Sequence, residues 1–189
     1  MGLMRVLPFA KHLLREHVVP GTVAIDMTAG NGHDTLFLAE LVGDGHVYAF
    51  DVQEEAVVAT RQRLEEAGMA ERVSVIHDSH HTVQTIVADE TRPITAAVFN
   101  LGYLPGSDKT VTTTGETTID ALRQLQDVMA IGGVIVVVIY HGHDSGKIER
   151  DEVLAYVESL DQKQAGVLRY GFINQVNHPP FIIAIEKRA

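Results

Sequence analysis

Asp26, Gly30 and Gly32 are the first residues whose types and spacing point to chemistry. They sit in the run Val23-Ala24-Ile25-Asp26-Met27-Thr28-Ala29-Gly30-Asn31-Gly32-His33-Asp34-Thr35-Leu36. An apolar strand leads into a glycine turn, and the turn leads into residues suited to the first turn of a helix. Glycine carries no Cβ and tolerates positive φ, so a ligand can come close to the backbone there. A strand, a glycine turn and a helix start together form a nucleotide site. The run does not read G-x-G-x-x-G, as a dinucleotide site would, and it lacks the Gly-Lys-Ser/Thr ending of a phosphate loop. An acid at the strand end, four residues before Gly30, suits a ligand with a positive charge and no phosphates.

Further candidates follow along the chain. Asp51 ends the next apolar run, His46 to Val52, about 20 residues after the glycine turn. An acid there can accept both hydroxyl hydrogens of a ribose; it can also cap the following helix. His80 and His81 follow a third run, Val73 to Ser79, and read either as ring or substrate contacts or as a polar helix start. His141-x-His143 with Asp144 invites a metal reading. No second cluster completes such a site, so no metal is expected. The chain has Cys 0. It therefore lacks the thiol nucleophile usually needed to activate C5 of a pyrimidine, and any base it modified would react at a heteroatom with a lone pair.

These residues need a frame to hold them. The 189 residues suffice for one domain with a real core, so 1–189 is read as a single domain with an N-terminal helical segment over 1–20. Hydrophobic residues at 46% against 21% charged mark a globular chain. No apolar run reaches membrane length, and the N-terminus is a poor signal peptide, so a cytoplasmic place is expected. Pro8 can open a short first helix. Helices are expected over His33 to Val42, Glu54 to Ala67, Thr118 to Ala130 with Thr117 and Asp120 at its cap, and Lys147 to Leu160. Further strands are expected at Ile94 to Phe99, Val134 to Tyr140, Gly166 to Asn174 and Phe181 to Lys187. A net charge of −10 argues against non-specific nucleic-acid binding. A local patch at Arg5, Lys11, His12 and Arg15 can still hold a small RNA element, or can be a solvated helix face.

Asp26-x-x-x-Gly30-x-Gly32 resembles the first motif of class I S-adenosylmethionine-dependent methyltransferases, with Thr28 where a further glycine is common. The fuller Asp-Met-Thr-Ala-Gly-Asn-Gly-His-Asp-Thr resembles the rRNA-methylase branch of that class, which is associated with wobble 5-aminomethyl-2-thiouridine of bacterial tRNA. Asn100-Leu101-Gly102-Tyr103-Leu104-Pro105-Gly106 and Tyr140 to Gly146 resemble the same branch. The resemblance implies a Rossmann-like α/β fold. Its seven-stranded, mostly parallel sheet would run in the order 3-2-1-4-5-7-6, with helices on both faces and an antiparallel C-terminal pair. It implies S-adenosylmethionine bound by Asp26, Thr28, Gly30, Asn31, Gly32, Asp34, Asp51, Val52, Gln53, Asp78, Ser79, His80, Asn100 and Gly102. It implies that Asn100 orients an exocyclic amine and that Tyr103 bounds the base pocket; a base or a water takes the excess proton, with His141 the first candidate for that base. The partner implied is a tRNA anticodon stem-loop, and a homodimer is allowed. The rivals are a methyltransferase of rRNA or small molecules, a nicotinamide oxidoreductase and a non-catalytic RNA-binding module. The broken glycine fingerprint opposes the second, and the acidic charge opposes the third.

Overall fold

Apolar runs and helical patterns alternate along the chain, and the computed structural model, which describes residues 2–102 and 114–189, turns them into a layered α/β structure. The elements in order are α1 (Val6–His17), β1 (Val23–Asp26), α2 (His33–Val42), β2 (His46–Asp51), α3 (Glu54–Glu66), β3 (Val73–His77), α4 (Val83–Ile86), β4 (Ile94–Leu101), α5 (Gly115–Val128), β5 (Val134–Ile139), α6 (Asp144–Glu158), β6 (Ala165–Tyr170) and β7 (Phe181–Lys187). The strands form a seven-stranded sheet in the expected order β3-β2-β1-β4-β5-β7-β6. Strands β1 to β5 pair in parallel, while β7 runs antiparallel to both β5 and β6.

The central strands are apolar on both faces because helices cover both faces. All six side chains of β5 are buried. Val134, Val136 and Val138 pack with Leu14 of α1, Leu38 of α2 and Leu64 of α3. Ile135, Val137 and Ile139 point the other way, into a core with Val83 of α4, Leu122 of α5 and Val153 of α6. Period-2 alternation thus splits one strand between two cores.

Several element ends differ from the sequence expectation. The first helix starts at Val6, before Pro8, and its first backbone bond runs from Phe9 N–H to the Arg5 carbonyl at 3.0 Å. Proline fits within that first turn because the leading N–H groups have no helical partner. Strand β4 runs to Leu101, which puts Asn100 inside a strand. Helix α5 begins at Gly115, capped by Thr114, whose side chain and that of Thr117 bond each other's backbone N–H. Asp120, expected in that cap, instead accepts from Gln124 at 3.3 Å. Helix α6 begins at Asp144, because the His143 ring caps it.

Candidate cofactor and acceptor site

The carboxyl ends of β1, β2 and β4 open onto a cavity of about 780 Å³. The turn after β1 supplies Thr28, Ala29, Gly30 and Asn31, and α2 supplies Asp34. The end of β2 and the residues after it supply Phe50, Asp51, Val52 and Gln53. Asp78, Ser79 and His80 follow β3, while Asn100 and Gly102 close β4. Such a crevice, outside the strand ends of a doubly wound sheet, is where ligands bind.

The two glycines of the turn do different work. Gly30 has φ +56° and lines the cavity, and a Cβ built on it would find no atom nearer than Thr28 O at 4.0 Å. That is the bare backbone a close-lying ligand needs. Gly32 has φ +83°, does not line the cavity, and would place a Cβ 2.9 Å from Thr60 Cα. Its missing side chain lets the turn dock on α3. The expectation that Gly32 clears space for the ligand is therefore corrected to a packing role.

Asp26 is also corrected. Expected to face the ligand's charge, it is fully buried and stands outside the cavity lining. Its carboxylate accepts from Thr28 N–H at 3.1 Å and from the Thr35 hydroxyl at 2.7 Å. Burial, with the charges of Asp34 and then Asp51, raises its pKa to about 7, while the bonds from Thr35 and Thr28 oppose the shift. Asp26 holds the turn in shape from below. Asp51 accepts from Gly30 N–H through Oδ2 and from Gln53 N–H through Oδ1, both at 2.9 Å. Each oxygen keeps a lone pair for a ligand hydroxyl.

At the end of β4, Asn100 N–H donates to Thr28 Oγ1 at 2.7 Å. The Asn100 side-chain nitrogen donates to Asp34 Oδ2 at 2.6 Å. These bonds join β4 to the glycine turn and to the start of α2. Tyr103, the aromatic expected beside Asn100, lies outside the described residues, as do residues 110–113 of the Thr110 to Thr118 stretch.

The histidines separate. His80 is buried, stands edge-on to Phe99, and meets the Met27 carbonyl through Nδ1 at 3.2 Å. Its Nε2 has no partner among the described residues, and burial lowers its pKa to about 4. His141, expected as a proton acceptor, is not part of the cavity wall. Its Nε2 meets the Pro179 carbonyl at 2.9 Å and its Nδ1 meets Arg150 at 3.0 Å. Both ring nitrogens are committed to pinning the β6–β7 connection against α6, and that corrects the assignment. His143 instead reaches the Gly102 carbonyl through Nε2 at 2.8 Å. Among the described residues, no group of three His, Cys, Asp or Glu side chains is placed to hold a metal ion.

The sequence reading missed the contribution of α1, whose Leu7, Ala10, Lys11 and Leu14 close one side of the cavity. The helical spacing of its apolar residues was visible, but no motif joins it to a turn 16 residues away. Thr114, Thr117 and Tyr140 also line the cavity.

This arrangement suits a nucleoside bearing a cationic group. It offers bare backbone at Gly30, a carboxylate at Asp51, an apolar wall at Val52, and the acid Asp34 beside an amide. A family model described as "Putative rRNA methylase" matches residues 47–186. The chain is 32% identical over 186 residues to the chloroplastic tRNA (mnm(5)s(2)U34)-methyltransferase of Arabidopsis thaliana, covering 93% of this chain and 68% of that protein. A structure from Clostridium thermocellum described as a "putative rRNA-methylase" superposes with a TM-score of 0.93 at 40% identity, covering 99% of this chain and 100% of that one. A "putative methyltransferase" from Streptococcus mutans, solved in complex with SAH, gives 0.88 at 41% identity over 98% and 99% of the two chains. The chain belongs to the family described as "Putative rRNA methylase", and it is an RNA methyltransferase with a Rossmann-like fold.

Proposed function

We propose that this enzyme methylates the exocyclic aminomethyl nitrogen of a wobble uridine in the tRNA anticodon stem-loop, converting 5-aminomethyl-2-thiouridine to 5-methylaminomethyl-2-thiouridine. S-adenosylmethionine is its cofactor and supplies a methyl group on a cationic sulfur. The observation that carries the acceptor is Asn100, a side-chain amide on the cavity wall at the end of β4. Its Oδ1 makes no hydrogen bond among the described residues and can accept an amine N–H. The name of the plant relative supports the same acceptor.

The protein's task is then positioning and exclusion of water. Asp51 would hold the ribose hydroxyls, Val52 would flank the adenine, and Asp78 and Ser79 would meet its edge. Asn100 holds the amine by its hydrogens. The nitrogen lone pair then forms the new N–C bond as the S–C bond breaks, the bonding pair goes to sulfur, and the surplus proton leaves to solvent. The absence of cysteine agrees with a nitrogen acceptor, since no nucleophile for ring-carbon activation is available.

The test compares two tRNAs, one carrying 5-aminomethyl-2-thiouridine and one carrying unmodified uridine at the wobble position, followed by nucleoside mass analysis. Methylaminomethyl product from the first alone is expected. Equal methylation of both, or a methyl group on the ring or ribose, would refute the acceptor.

A further inference from the structure

We infer that Asp34 is a positioning residue for methyl transfer: it fixes which way the Asn100 amide faces, and so keeps the acceptor's lone pair free. This rests on the amine-acceptor reading above. An ionised carboxylate only accepts hydrogen bonds. Asp34 Oδ2 lies 2.6 Å from the Asn100 side-chain nitrogen, so the NH₂ end of the amide must face α2. The backbone of Asn100 is held separately, by its N–H on Thr28 Oγ1 at 2.7 Å. With the backbone anchored and the NH₂ end engaged, Oδ1 is the end left for a ligand.

That choice of end decides the chemistry. An amine attacks with its lone pair. Oδ1 accepts an N–H of the amine and leaves the lone pair aimed at the methyl. A reversed amide would instead donate N–H into the lone pair and quench the nucleophile. Asn100 alone has no preference between these states, because its two ends are nearly the same shape. The carboxylate of α2 supplies the preference. Asp34 is the second residue of α2, and both Asp34 and Asn100 line the cavity.

The geometry makes a swap informative. In Asp34→Asn/Asn100→Asp, residue 100 again presents only oxygen to the amine, while residue 34 supplies the N–H. Activity is measured on tRNA carrying 5-aminomethyl-2-thiouridine, with cofactor affinity by calorimetry and folding by thermal melting. For Asp34→Ala, kcat is expected to fall about 100-fold, the scale of a misplaced reacting group. With cofactor held at saturation, the KM for tRNA should stay within about threefold, so that the loss is read in kcat, the pattern of an interaction made only in the transition state. Asp34→Asn, whose amide can pair either way, should fall between wild type and Asp34→Ala. Asn100→Asp places two carboxylates against each other and should be poor, and the swapped double variant should recover at least about tenfold over it.

A merely structural Asp34 would lower the melting temperature without this kcat pattern or its rescue by the swap. Asp34→Ala with wild-type kcat, or with cofactor affinity lost and kcat at saturation kept, overturns the assignment. A swap no better than Asn100→Asp does the same. A wild type inert on the aminomethyl tRNA overturns the acceptor and this inference together; an active wild type beside an unaffected Asp34→Ala overturns the Asp34 role alone.

Discussion

Asp26 and His80 lie beneath the same cavity and titrate in opposite senses. Burial first, and the charge of Asp34 second, raise Asp26 from 3.8 to about 7. Burial lowers His80 from 6.5 to about 4. Folded Asp26 keeps a proton that the unfolded chain has shed, so its contribution to stability falls as pH rises from about 4 to 7. Folded His80 stays neutral where the unfolded chain takes up a proton, so its contribution falls as pH drops from 6.5 to about 4. The excursions are roughly 3 to 5 kcal/mol each, at about 1.4 kcal/mol per pKa unit, and over this window they oppose each other. Glu90, lowered to about 2 mainly by its hydrogen bond from Arg92, acts only at more acid pH. The pH dependence of unfolding in urea should therefore be shallow for the wild type between pH 4.5 and 6.5. Asp26→Asn should lose stability on acidification relative to it, and His80→Phe should lose stability as pH rises. Difference profiles that stay flat for both variants would show that neither group is shifted. At this scale the sequence identified the turn but not the division of labour within it. Gly30 and Gly32 look alike in sequence, and only the approach of Thr60 separates them. Asp26 read as a ligand contact because its type and spacing were visible and its direction was not.

Between elements, His143 joins the ends of two strands. Its Nδ1 accepts from Gly146 N–H at 3.1 Å, which caps α6, and its Nε2 donates to the Gly102 carbonyl at 2.8 Å. One ring therefore ties the residues after β5 to those after β4. Gly102 has φ +77°, and a Cβ there would lie 2.4 Å from Tyr140 O, so the two segments pass in close contact. His143→Ala should cost about 1 kcal/mol as a lost cap, read as a lower urea midpoint. It should lower kcat while cofactor affinity holds, because it releases the backbone next to Asn100 without touching the glycine turn. Unchanged kcat in a variant of lower stability would confine His143 to capping. The β-branched run of β5 and the glycine turn made the strand order readable, because burial on both faces and backbone conformation are written in residue type. Caps were less readable. Histidine is not among the usual capping residues, so α6 was expected three residues too late. Thr114 was passed over for Thr117, although both threonines belong to the same reciprocal pair.

At the scale of the whole molecule, the proposed tRNA substrate requires a chain of net charge −10 to concentrate its positive charge. Helix α1 is where the structure does so. It packs on β5, β4 and β7 and is tied to β6 by the stacking of Phe9 on Tyr170 at 3.8 Å between ring centroids. Lys11 Nζ stands 5.2 Å from the centre of the Phe37 ring, and the Arg15 guanidinium 5.0 Å, so both cations are gathered on one aromatic of α2. Lys11 also lines the cavity. The patch therefore borders the site where the wobble base is proposed to enter. If it meets phosphates, Lys11→Ala and Arg15→Ala should each weaken tRNA binding, and each should reduce the slope of log affinity against log salt by about 1. The control lies at the other end of the sheet. Residue 188 follows β7, whose Glu186 pairs with Val134 at the start of β5, while the cavity sits at the strands' opposite ends. Arg188 is exposed and bonds the Gln162 carbonyl at 3.0 Å. Arg188→Ala should leave affinity and slope unchanged. Titrations of tRNA at several salt concentrations would measure all three variants. Equal slopes for Arg15→Ala, Arg188→Ala and wild type would mean that α1 closes the cofactor cavity but does not face the RNA.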